Sequence, residues 1–103
     1  MEDRANYAGV GIPQTIEAFR NRRCSLLFAD FNYEPPTPEE VKALIAVAEW
    51  SQTQVSEIVG VSHNAKGSTT IRKWRSPIES PEHRKIPYAA WRLMLIHAGV
   101  VTL

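Results

Sequence analysis

At 103 residues, 44% of them hydrophobic and 22% charged, the chain has the makeup of one soluble globular domain; two independent cores would each be too small. No apolar run approaches the roughly 18 residues that cross a bilayer, and Met1-Glu2-Asp3-Arg4 begins no secretory signal, so the expected location is the cytoplasm. A formal net charge of +1 announces no particular partner, and the lone cysteine, Cys24, excludes an internal disulfide and a cysteine metal cluster.

Residues 1–12 lack periodicity, contain Gly9 and Gly11, and read as a loose N-terminal arm. Pro13 suits a helix start, after which Ile16, Phe19 and Arg23 share a face. The stretch from Ser25 to Phe31 reads equally as a continuation of that helix or as a short strand. Asn32-Tyr33-Glu34-Pro35-Pro36 is a stiff connector whose prolines forbid helix. The expected division is therefore an arm and extension over 1–36 and a folded domain over 37–103.

Thr37-Pro38-Glu39-Glu40 is a strong helix start. Thr37 caps the free N–H groups, Pro38 fits the first position, and Glu40 completes a capping box. Val41, Leu44, Ile45, Val47 and Ala48 then repeat at helical spacing as far as Trp50. A short helix follows from Ser51-Gln52-Thr53-Gln54 to Gly60, carrying Val55, Ile58 and Val59 inward. Beyond the polar stretch Ser62–Ser68, Thr69-Thr70-Ile71-Arg72-Lys73-Trp74 forms another short helix, stopped by Ser76-Pro77. Ser76 to Lys85 is a loop. Pro87 begins the last helix, Tyr88 to His97, and Gly99 ends it. The fold class is all-α, a bundle of about five helices plus an N-terminal extension. Trp50, Trp74 and Trp91 occupy helical-face positions and are read as core.

Two short helices flanking a glycine, with Val55, Val59, Val61, Ile71 and Trp74 available to lock them together, are the ingredients of a helix-turn-helix. The run Ser51-Gln52-Thr53-Gln54-Val55-Ser56-Glu57-Ile58-Val59-Gly60-Val61-Ser62, with Thr70-Ile71-Arg72-Lys73-Trp74, resembles the Cro/CI-type (XRE, lambda-repressor-like) helix-turn-helix of bacterial and phage regulators. The resemblance covers residues 38–75 well and 87–97 loosely. It departs at Ser56, where the family has alanine. It departs again after Ser62: Ile71 stands nine positions on, where the family's apolar residue stands about four on, implying an insertion of about five residues within 63–68.

The resemblance implies sequence-specific binding of double-stranded DNA, as a homodimeric repressor occupying an operator. Its size and motif suit a phage, plasmid or other mobile element. Ser68, Thr69, Thr70, Arg72 and Lys73 would face base edges, Arg to guanine O6/N7 being the commonest specific contact. Gln52, Thr53, Asn64, Lys66 and Arg75 would hold phosphates, which orient without reading sequence. The last helix, with Trp91, Leu95 and residues 99–103, is the candidate dimer surface, and the N-terminal segment its competitor.

Charge is unevenly spread. Residues 30–60 carry Asp30, Glu34, Glu39, Glu40, Glu49 and Glu57 against Lys42 alone, while residues 61–103 carry Lys66, Arg72, Lys73, Arg75, Arg84, Lys85 and Arg92 against Glu79 and Glu82. A nearly neutral chain thus has a basic half, which suits a phosphate-facing surface or simply a solvated one. Arg20-Asn21-Arg22-Arg23 reads as the wet side of the first helix in preference to a second phosphate patch. His63, His83 and His97 lack metal-ligand spacing. A Cys24 nucleophile has no signalled orienting partner, so no enzyme activity, cofactor, metal or small-molecule ligand is expected. The competing function is a protein-interaction module, an antitoxin or phage inhibitor reusing the helical core.

Overall fold

The computed structural model describes residues 11–102. The loose arm expected over 1–12 therefore lies, for residues 1–10, outside the described residues. Five α-helices follow one another: α1 (Ile16–Arg20), α2 (Pro38–Val47), α3 (Gln52–Val59), α4 (Thr69–Arg75) and α5 (Tyr88–Ala98), with a 3-10 turn at Arg23–Ser25. Among the described residues the only β feature is an isolated antiparallel bridge between Asn64 and Gly67. The all-helical expectation holds.

The start of α2 forms as the sequence dictates. Thr37 Oγ1 accepts the Glu40 N–H at 3.1 Å, the Glu40 carboxylate accepts the Thr37 N–H at 2.9 Å, and Pro38 occupies the first turn. The helix ends at Val47, before the expected Trp50. Glu49 turns left-handed (φ 59) and Trp50 N–H reaches back to Ile45 O at 3.1 Å, folding the indole onto the core.

Two expectations about the extension are corrected. Helix α1 starts at Ile16, capped by the Thr15 hydroxyl, which accepts Ala18 N–H at 3.0 Å; Pro13 precedes it and is buried. Ser25 ends the 3-10 turn, and residues 26–31 are neither helix nor strand. The Ser25 hydroxyl donates to Phe19 O at 2.6 Å and closes the chain on itself, and tight turns follow, Asp30 N–H to Leu27 O (2.9 Å) and Tyr33 N–H to Asp30 O (3.0 Å). Leu27, Phe28 and Phe31 consequently face outward.

The core gathers Phe19 and Cys24 from the extension with Val41, Leu44, Val55, Ile71, Trp74, Trp91, Met94 and Leu95. Each such side chain contributes about 1.5–3 kcal/mol on burial. Helix α2 packs on α1 and α4, and α3 on α4 and α5. Trp91 is the hub. Its ring meets Phe19 at 6.3 Å, and its indole N–H donates to Cys24 O at 2.9 Å. Trp91 and Leu95 are 0% exposed and Val100 is buried, so the inner face of α5 is occupied within the chain and offers no dimer surface.

Arg20, Arg22 and Arg23 are staples: Arg22 is buried, while Arg20 and Arg23 keep the partly exposed character expected of them. Arg20 donates to Gly99 O and Val100 O, closing the end of α5. Arg22 is buried, donates to Gly11 O, and holds the Glu40 carboxylate at 3.2 Å, tying the extension to α2. Arg23 pairs with Glu34 at 2.8 Å.

Candidate nucleic-acid interface

Helix α3 opens with a second capping box: Ser51 Oγ accepts Gln54 N–H (3.1 Å) and Gln54 Oε1 accepts Ser51 N–H (2.8 Å). Val55 and Ser56 are fully buried. Burying a hydroxyl is tolerable only if it is bonded, and Ser56 Oγ donates to Gln52 O at 2.8 Å within its own helix. Serine therefore substitutes for the alanine of the resembled motif at little cost. The helix closes at Gly60, left-handed at φ 80, whose N–H returns to Ser56 O at 2.8 Å.

The segment between the helices is a small closed turn. Asn64 and Gly67 exchange both backbone hydrogen bonds (2.8 and 3.0 Å), and Asn64 Oδ1 accepts Lys66 N–H at 2.8 Å, which puts Ala65 and Lys66 at the tip. This turn makes up the connection between α3 and α4, and α4 beyond it is regular. Gly67 sits at φ 116, where a Cβ would lie 2.2 Å from Gln52 Oε1. That oxygen accepts the Ser68 N–H at 2.8 Å. One side chain at the beginning of α3 thus fixes the beginning of α4, bringing the two helix starts together.

Helix α4 divides cleanly. Ile71 and Trp74 are buried against the core, while Thr69 and Arg72 are exposed and Thr70, Lys73 and Arg75 half-buried. Ser68 is 4% exposed and its hydroxyl accepts Ile71 N–H at 3.3 Å, so it serves as the helix cap. Thr53, Asn64 and Lys66 are exposed and Gln52 is half-buried. The Gln52 carbonyl oxygen is committed to Ser68, which leaves the amide NH2 as its donor.

The loop after α4 is tacked onto the helix end. Ser76 Oγ donates to Arg72 O (2.9 Å), Arg84 N–H donates to Lys73 O (3.1 Å), and His83 Nδ1 lies 2.9 Å from Ser76 O. This arrangement sets Glu82 against Arg72 as a half-exposed ion pair. The hydrogen bond from Arg72, and next its charge, hold the Glu82 carboxyl below the ordinary carboxylate range; Lys73 and Arg84 add to the pull.

Away from this face, the Cys24 thiol is buried and lies 3.8 Å from Glu40 Oε2. Burial first, and then the Glu40 charge, push its pKa up, so at neutral pH it is a thiol and not a thiolate nucleophile.

The chain is 31% identical over 80 residues to the transcriptional repressor protein KorC of Escherichia coli, an alignment spanning 78% of this chain and 86% of that protein. The chain belongs to the KorC family of transcriptional repressors. A further Escherichia coli KorC is 34% identical over 65 residues, spanning 63% of this chain and 68% of that protein. No family model matches the chain.

Within this KorC-family fold, the sequence-named residues fall into three places. Gln52, Thr53, Asn64, Lys66, Thr69 and Thr70 belong to the paired helix starts and the turn between them; Arg72 and Lys73 lie on the middle of α4; Arg75 lies at its end. Sequence reasoning missed Glu82 as the partner of Arg72, because the two stand ten residues apart with an irregular loop between the end of α4 and Glu82. A usable signal was present: Glu79 and Glu82 are the only carboxylates in the basic half of the sequence, and Glu82 follows the Ser80-Pro81 turn.

Proposed function

We propose that the chain represses transcription by binding double-stranded operator DNA, with α3 and α4 as a helix-turn-helix and α4 in the major groove. Family membership supplies the repression. The observation that carries the DNA-binding reading is steric: Ile71 and Trp74 are consumed by the core, which leaves the Thr69–Arg72 side of α4 facing away from the body, beside the start of α3.

In this reading Thr69, Thr70, Arg72 and Lys73 read base edges. Gln52, through its amide NH2, and Thr53, Asn64, Lys66 and Arg75 hold phosphates. Ser68 contributes by capping the helix that presents them. The unit that binds DNA is 37–103, and residues 11–36 of the extension are tied to it through Phe19, Cys24 and Arg22. The repressor acts in the cytoplasm as a homodimer on inverted half-sites about 10 base pairs apart, because two-fold protein symmetry matches two-fold DNA symmetry. The surface proposed for dimerisation is the turn carrying Leu27, Phe28 and Phe31, exposed apolar side chains within five positions of one another.

Selection of bound duplexes from a random pool, with salt titrated, tests this directly. The expected outcome is one enriched inverted repeat and an affinity that falls linearly with salt on logarithmic axes. Arg72→Ala weakens binding to the selected duplex much more than to random duplex, whereas Lys66→Ala weakens both alike. Failure to enrich any sequence, with no salt-dependent binding, contradicts the proposal.

A further inference from the structure

We propose that Glu82 sets the specificity of this interface: its carboxylate, fixed beside α4, positions Arg72 for a base edge and withdraws one positive charge from the face offered to phosphates. The inference rests on the DNA-binding reading above and adds to it a residue outside the helix-turn-helix.

Three observations carry it. First, the Arg72 guanidinium donates through Nη1 to Glu82 Oε1, yet both side chains remain about half exposed, at 54% and 55%. A guanidinium has five N–H donors in a rigid fork, so one bond to Glu82 leaves the rest for a ligand. Second, the backbone that carries Glu82 is held. Its N–H donates to Ser80 Oγ at 3.2 Å and Ser80 N–H to Pro77 O at 2.9 Å; Ser76 Oγ donates to Arg72 O at 2.9 Å and Arg84 N–H to Lys73 O at 3.1 Å, so the loop is tied to α4 before and after the acid. Third, the surroundings keep it charged: Arg72, Lys73 and Arg84 all favour its ionised form.

The pair gains little for folding, because an exposed ion pair is largely offset by solvent and side-chain entropy. Its consequences belong to binding. A phosphate approaching Arg72 meets a carboxylate at the same place, which weakens attachment to any duplex regardless of sequence. A guanine edge needs two donors at a fixed angle, and an arginine already held on one side loses less freedom on making that contact. The two effects are separable. The first lowers affinity for every duplex, and the second raises the ratio of specific to non-specific binding.

The experiment compares the unaltered chain with Glu82→Gln, Glu82→Asp and Arg72→Ala, measuring affinity for the selected duplex and for random duplex across a salt series. Unfolding midpoints serve as a control and stay unchanged for the Glu82 variants. Glu82→Gln binds random duplex roughly 3–10-fold more tightly, and its slope of log affinity against log salt steepens by about 0.9, the value for one more neutralised phosphate. Its ratio of selected to random affinity falls by about tenfold. Glu82→Asp, which keeps the charge, returns the slope to that of the unaltered chain. An unchanged slope and ratio in Glu82→Gln, while Arg72→Ala lowers the ratio, overturns the role of Glu82 and leaves DNA binding standing. A steeper slope with an unchanged ratio rejects the positioning of Arg72. Absence of duplex binding by the unaltered chain overturns the DNA-binding reading and this inference with it.

Discussion

Gln52 has a structural role that neither its residue type nor its position discloses. The resemblance implies a phosphate contact for it; the fold uses its side-chain carbonyl oxygen to hold Ser68, sixteen residues on. That bond depends on the shape of the inserted turn, which has no sequence precedent in the resembled motif, and so it was not legible. Gly67 is the sensitive point. An added Cβ would meet Gln52 Oε1, and φ 116 is itself strained for any other residue, so Gly67→Ala should lower stability by about 1–3 kcal/mol, measured as a shift in the urea unfolding midpoint. Wild-type stability in that variant would mean the turn is not held as described. Cys24 offers a pH test. Its pKa is raised in the folded chain, so the native state favours the thiol; this stabilisation is full below the unfolded thiol's pKa and lost as pH rises above it. Native protein should therefore resist a thiol-labelling reagent at neutral pH and react only on unfolding, and stability should decline above about pH 9 less steeply in Cys24→Ala.

Among the helices, ends written in side-chain chemistry were legible and ends set by tertiary contacts were not. The α2 start was plain because Thr37, Pro38 and Glu40 each have one good use there, and the starts of α3 and α4 were plain from Ser51 and Ser68-Thr69. Thr37→Ala removes one side of the capping box and should cost about 1 kcal/mol in chemical denaturation. The other end of α2 hid in the sequence because Glu49 is a poor left-handed residue; it is held there as Trp50 packs on the core and its N–H returns to Ile45 O. Glu49→Gly relieves that strain and should raise stability by up to about 1 kcal/mol, in contrast to the loss that glycine causes inside a helix. Residues 25–31 were ambiguous for a similar reason. Their apolar side chains imitate a buried strand, yet Leu27, Phe28 and Phe31 stay outside.

Taken together, the helices make one core that the extension shares, since Phe19 packs on Trp91 and the Trp91 indole is bonded to Cys24 O. The basic half of the sequence does not become a uniformly basic surface: Arg72 is paired with Glu82, Arg84 is folded onto its own loop, and Arg92 is bonded to the carbonyls of Ser25 and Leu26. Counting charges along the chain could not reveal this, because partners are assigned only by folding. The all-α class and the α3–α4 pair were readable from periodicity and glycine placement; the α5 run expected as a dimer surface was misread, because it serves the core. Phe31 is 99% exposed, so Phe31→Asp should leave the fold intact while shifting the chain toward monomer in sedimentation equilibrium and weakening operator binding. A chain that is monomeric with or without the change would remove this turn from the account. The most telling measurement is backbone amide shift mapping of the isotope-labelled protein during titration with its selected duplex. The largest changes should fall on Thr69–Arg75 and on Gln52–Thr53, with Lys66 beside them. Changes confined to residues 27–34 or to α1, with α4 silent, would contradict the placement of the DNA on this face.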